Sequence, residues 1–157
     1  MTDRTSASEP TRSTPSRRPA PSPSEVAPGV YVGGWNDALR FEGARYCVTE
    51  SAPDGELPAD LRLPVYDPTK DRPHRENLDR LAELVSAARA QGRPVLLFCG
   101  YGIRRAPLAA AWYLHRAEGL SLDAAYDRIR RVRPKVEHVR QWVGDRSTLG
   151  TAGGASG

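Results

Sequence analysis

The sequence predicts a three-layer α/β domain with a central, mostly parallel sheet flanked by helices, and three observations carry that prediction. Pro94–Phe98 reads PVLLF, an uncharged apolar run of the kind found in strands buried on both faces. Residues 77–90 place Leu78, Leu81, Ala82, Val85 and Ala88 on one helical face, with charges opposite. From Pro107 to Ala117 the chain is apolar nearly all round, which marks a helix at the centre of the fold. Strands come early, a helix precedes the buried strand, and helices dominate the end, as in a layered α/β domain.

The elements follow in order. Gly29–Gly34 (GVYVGG), entered after Pro28, reads as a first strand, and Trp35–Phe41 as one or two helical turns. Arg45–Glu50 is a second strand. Leu61–Tyr66, alternating Leu61, Leu63 and Val65 with other residues, is a third. Turn-forming residues run from Asp67-Pro68 to Pro73, and Gln91-Gly92 ends the helix begun at Asn77. Gly119 is placed to cap the central helix and Ser121 to start the next, whose inner face carries Leu122, Ala125, Ile129 and Val132. Pro134 stops that helix, and Val136–Val143 is expected to add a short last one.

The ends are expected to lie outside the core. Residues 1–25 are mostly Ser, Thr, Pro, Ala and Arg, too poor in apolar surface to offset the entropy of ordering. Residues 147–157 are Gly, Ala, Ser and Thr with one Leu and read as a flexible tail. This leaves residues 26–146 as one domain within the 157-residue chain.

Composition narrows the function. No apolar run is long enough to cross a bilayer, and two cysteines, Cys47 and Cys99, are too few for a disulfide scaffold, so a soluble cytoplasmic protein is expected. The net charge of +4 is carried mainly by arginine. No stripe of base-stacking aromatics accompanies it, and nucleic acid is not expected as the principal partner. His115 and His138 fall on expected helices with no metal-ligand partner in the sequence, so no metal and no cofactor are expected.

The chemistry concentrates in Val95–Leu114, VLLFCGYGIRRAPLAAAWYL. A loop joining a buried strand to a helix N-terminus aims backbone N–H groups at one point, and the helix dipole favours an anion there. Gly100 and Gly102 permit the close approach such a cradle needs. Arg105 offers a planar fork for two phosphate oxygens. Cys99, at the mouth of the cradle, supplies a thiolate nucleophile. Tyr101, Ile103, Arg104 and Ala106 complete the binding loop. Arg104 either widens tolerance for highly charged substrates or points to solvent.

Cys99-x-x-Gly102-x-x-Arg105 after an apolar strand resembles the signature of the protein-tyrosine and dual-specificity phosphatase superfamily, here with a bacterial-type member as the expectation. Pro28–Gly34 is similar to the first strand of dual-specificity members, and Gly119–Ala125 followed by Arg133-Pro134 to their segment after the central helix. The resemblance implies hydrolysis of phosphomonoesters through a cysteinyl-phosphate. The expected partner is a phosphorylated protein, phosphotyrosine first and phosphoserine or phosphothreonine after it. RNA 5′ ends, inositol phosphates or lipids are alternative substrates, and a phosphate-binding module with little turnover is an alternative function. It also implies a general acid, an Asp about thirty residues before the Cys at a strand end. Asp67 occupies that place, with Asp71 as its rival. Cys47 is either a buried structural thiol or a redox partner for Cys99.

Two departures from the family pattern stand out. Phe98 replaces the His that often precedes the Cys, and Ala106 replaces the hydroxyl residue that usually follows the Arg. That hydroxyl supports departure of the thiolate, so the second half of the reaction should be slow. Ala106→Ser should therefore raise steady turnover more than it changes the first burst in rapid-mixing assays. Unchanged turnover would contradict this account.

Overall fold

The computed structural model describes residues 23–50 and 59–138. Their elements are β1 Ser24–Ala27, β2 Val30–Gly33, α1 Trp35–Ala38, β3 Ala44–Cys47, β4 Leu61–Arg62, β5 Tyr66–Asp67, β6 Arg72–Pro73, α2 Arg75–Ala90, β7 Val95–Phe98, α3 Arg105–Glu118 and α4 Leu122–Val132. Five strands form one sheet in the order β1-β2-β7-β3-β4. β1 runs antiparallel to β2, and the other three pairings are parallel. The mostly parallel α/β sheet expected from the sequence is present.

β7 is the central strand, with all four residues buried. Its side chains divide between two layers, as period-2 alternation requires. Leu96 and Phe98 pack on the α1 side with Ala38 and Cys47. Val95, Leu97 and then Cys99 face the larger core built on α2, α3 and α4. α3 is buried from Ala106 to His115, as its lack of a polar face predicted. It ends at Gly119, φ 74, the left-handed cap that the sequence placed there. Ser121 Oγ accepts the Ala124 N–H at 3.1 Å and starts α4.

Several boundaries differ from expectation. β1 begins at Ser24, inside the segment assigned to the disordered N-terminus; its pairing with β2 buries Ser24, Val26 and Ala27. The third expected strand is broken. Leu61–Arg62 pairs with β3, but Pro64 has no N–H to continue a ladder, and Tyr66–Asp67 instead forms a separate hairpin with Arg72–Pro73. Val132 is 47 % exposed and not on the inner face of α4, where Tyr126 sits instead. The expected last helix, 136–143, falls partly outside the described residues, and its described part, 136–138, is not helical. The tail from 147 and residues 1–22 also lie outside them. Among the described residues no helix is long and apolar enough to cross a membrane.

Candidate phosphate-binding site

The loop from Cys99 to Arg104 joins the C-terminal end of β7 to the N-terminus of α3. Its path depends on close backbone contact with the end of β2. Gly102 has φ 72, and a Cβ there would lie 2.8 Å from the Gly33 carbonyl oxygen and 2.8 Å from Arg133 Nη2. A Cβ on Gly34 would lie 2.6 Å from the Gly100 carbonyl oxygen. Glycine is thus required on both sides of the contact. Trp35 N–H donates to the Gly100 carbonyl at 3.1 Å, and Cys99 N–H to the Gly33 carbonyl at 3.3 Å.

Cys99 is buried, and its Sγ accepts the Ala106 N–H at 3.3 Å. The first turn of α3 therefore points a backbone donor at the sulfur, the arrangement that favours an anion. Arg105 is the first residue of α3, two before Pro107, where the sequence put the helix start. Its Nε and Nη2 donate to the two carboxylate oxygens of Glu50 at 2.8 and 2.7 Å. Such a bidentate pair fixes the plane of the guanidinium. The guanidinium also lies over the Tyr66 ring, 5.6 Å from its centroid.

A cleft of about 390 Å³ opens above the loop. Gly100, Tyr101, Ile103, Arg104 and Arg105 line it from the loop, Trp35 from α1, Thr49 and Glu50 from beyond β3, and Glu137 from beyond α4. Arg104 pairs with Glu137 at 3.6 Å, so it belongs to the cleft wall and is not simply solvated. Glu137 N–H donates to the Ile103 carbonyl at 2.9 Å. Gly102 is buried behind the loop. Ala106 is buried beneath it beside the sulfur.

Neither candidate acid lines this cleft. Asp67 accepts from the Thr69 backbone N–H at 3.0 Å and from its hydroxyl at 2.5 Å. The Thr69 hydroxyl hydrogen bond holds its carboxyl below the usual carboxylate range. Asp71, at φ 49, accepts the Tyr66 hydroxyl. Cys47 packs on the α1 side of β7, the face opposite Cys99, and burial pushes its thiol pKa up.

No local motif marks Glu50, Trp35, Thr49 or Glu137 as cleft residues. Arg133 was visible only as part of Arg133-Pro134. In the structure its buried side chain donates to the carbonyls of Gly102 at 2.9 Å and Tyr101 at 3.0 Å and to Ser24 Oγ at 3.0 Å. Burial pushes its pKa down, while Asp37 and Cys99 act in the opposite sense. A buried cation thus braces the loop from behind.

Residues 45–144 match the family model described as "Dual specificity phosphatase, catalytic domain". The chain belongs to the dual specificity phosphatases. Dual specificity phosphatase 28 of Mus musculus is 33% identical over 129 residues, covering 75% of this chain and 78% of that protein. Dual specificity protein phosphatase 12 of Rattus norvegicus is 29% identical over 141 residues, covering 80% of this chain; the chain spans only 41% of that relative's length. The crystal structure of human DUSP28 superposes with a TM-score of 0.72 at 26% identity, covering 85% of this chain and 99% of that one. These relatives are mammalian and lend no support to a specifically bacterial-type member.

The brace behind the loop gives a stability prediction. Arg133→Met leaves the buried Gly102 carbonyl and the half-buried Tyr101 carbonyl without this donor and should cost on the order of 3 kcal/mol in denaturant unfolding. Gly102→Ala should weaken inorganic phosphate binding in calorimetry, because its Cβ forces the loop off Gly33.

Proposed function

We propose that this chain hydrolyses phosphomonoesters, aryl phosphates first, through a cysteinyl-phosphate on Cys99, with phosphotyrosine proteins as its substrates. The strand-to-helix cradle carries the reading: Cys99 Sγ lies under the Ala106 N–H, with Arg105 on the same first turn of α3. Phosphate enters the cradle and Arg105 contributes its guanidinium. The Cys99 thiolate attacks phosphorus, a P–S bond forms, and the P–O bond to the leaving group breaks. Asp67, which does not line the cleft in this structure, must approach it to give its proton to the leaving oxygen. In the second half the Asp67 carboxylate takes a proton from water, the water oxygen attacks phosphorus, and the P–S bond breaks to release inorganic phosphate and the thiolate.

The preference for aryl esters rests on Trp35 and Tyr101, which both line the cleft. Tyr101 is 74 % exposed, unusual for a large aromatic, and its ring can flank an aromatic leaving group. A second reading, a phosphate-binding module with little turnover, is favoured by Phe98 and Ala106, where the family pattern has His and a hydroxyl residue.

Mixing the protein with para-nitrophenyl phosphate in EDTA separates these readings. Steady turnover, lost in Cys99→Ser, is the expected result. A single burst with no further release supports the module, and the absence of both burst and turnover contradicts the proposal. The pH dependence gives an independent check. The Thr69 hydroxyl lowers the Asp67 pKa, and a general acid must be protonated to act. Thr69→Val should therefore raise that pKa and move the basic limb of kcat for phenyl phosphate to higher pH. A limb that stays in place or moves down argues against Asp67 as the acid.

A further inference from the structure

Tyr66 touches both loops that the proposed reaction needs. It immediately precedes Asp67 on β5 and faces Pro73 across the hairpin. Its side chain is buried, and the Arg105 guanidinium lies 5.6 Å from its ring centroid. Its hydroxyl donates to the carboxylate of Asp71 at the far end of the turn. Asp71 has φ 49, in the left-handed region that non-glycine residues seldom occupy. Such conformations persist where the surroundings hold them, and the Tyr66 hydroxyl is a contact on Asp71 that can do so. The hydrogen bond to Asp71, and then burial, push the phenol pKa up, so the hydroxyl stays protonated and keeps donating.

One side chain therefore meets the turn that shapes the Asp67 hairpin and the arginine of the phosphate loop. Glu50 holds the same guanidinium through a bidentate pair, so the ring and the carboxylate both act on where it lies. We propose that Tyr66 is a positioning residue that couples the two loops. Its hydroxyl sets the hairpin through Asp71, and its ring seats Arg105. The proposal builds on the phosphatase reading above. It separates the two halves of the side chain: the hydroxyl should matter for leaving-group protonation, and the ring for phosphate binding.

The test uses the full chain with Tyr66→Phe, Tyr66→Leu, Asp67→Asn and the double variant Tyr66→Phe/Asp67→Asn. Hydrolysis of phenyl phosphate and para-nitrophenyl phosphate is measured beside the Kd for inorganic phosphate by calorimetry. Tyr66→Phe should lower kcat for phenyl phosphate on the order of tenfold and change para-nitrophenyl phosphate by less than about twofold, since the better leaving group needs less proton assistance. In the Asp67→Asn background Tyr66→Phe should cause no further loss, because it acts through Asp67. Tyr66→Phe should leave the phosphate Kd unchanged, and Tyr66→Leu should raise it about threefold to tenfold.

Equal losses on both esters, losses that multiply in the double variant, or an unchanged phosphate Kd in Tyr66→Leu would each overturn the coupling. If the unaltered chain binds phosphate but hydrolyses neither ester, the phosphatase reading fails separately, and the Kd series still decides whether Tyr66 seats Arg105. Absence of both binding and hydrolysis overturns the two together.

Discussion

The contact between Gly102 and Gly33 is the constraint on which the rest of the site depends. The loop after β7 turns at Gly102, φ 72, with its backbone against the end of β2 and the Arg133 guanidinium behind it. That contact fixes where the loop enters α3. It therefore fixes where the Ala106 N–H meets Cys99 Sγ and where Arg105 leaves the first turn. β2 and β7 are neighbours in parallel register, Gly33 opposite Phe98, so the sheet itself brings the two glycine-bearing segments together. The positions of Cys99 and Arg105 are consequences of strand pairing and backbone packing before any side-chain chemistry is considered.

The electrostatics of the cleft follow from the same frame. Among the described residues, the two arginines that line it each meet a carboxylate, Arg105 with Glu50 and Arg104 with Glu137. An incoming phosphate must share these cations with the carboxylates, whose negative charge offsets part of their attraction. Arg133 adds a further positive group behind the loop, where it donates to the Gly102 and Tyr101 carbonyls and to Ser24 Oγ. The Asp67 hairpin is a separate two-stranded unit, and the Tyr66 side chain reaches from it to Arg105.

Much of this was legible in the sequence wherever a local pattern carries the information. The uncharged run Val95–Phe98, the all-apolar α3 and the caps at Gly119 and Ser121 appear where periodicity and capping chemistry put them. The loop was legible because its glycines and arginine sit at fixed offsets from Cys99. What stayed hidden depends on pairing across the chain. β1 owes its order to β2, not to its own composition, and the break at Pro64 decides that Asp67 lies on a hairpin instead of the main sheet. Glu50 reaches Arg105 across 55 residues and Arg133 reaches Ser24 across 109, separations that no local motif encodes. Val132 follows helical periodicity yet is exposed, as the last residue of α4.

The central claim is that Cys99, held in this cradle, takes the phosphoryl group. Its most direct test is acid quenching of the protein within the first turnover of para-nitrophenyl phosphate, followed by mass spectrometry of the peptide that contains Cys99. The account predicts a peptide heavier by one phosphoryl group, with the group on the Cys99 sulfur and absent from the Cys99→Ser variant. Turnover with no phosphoryl group on that peptide at any quench time would contradict it.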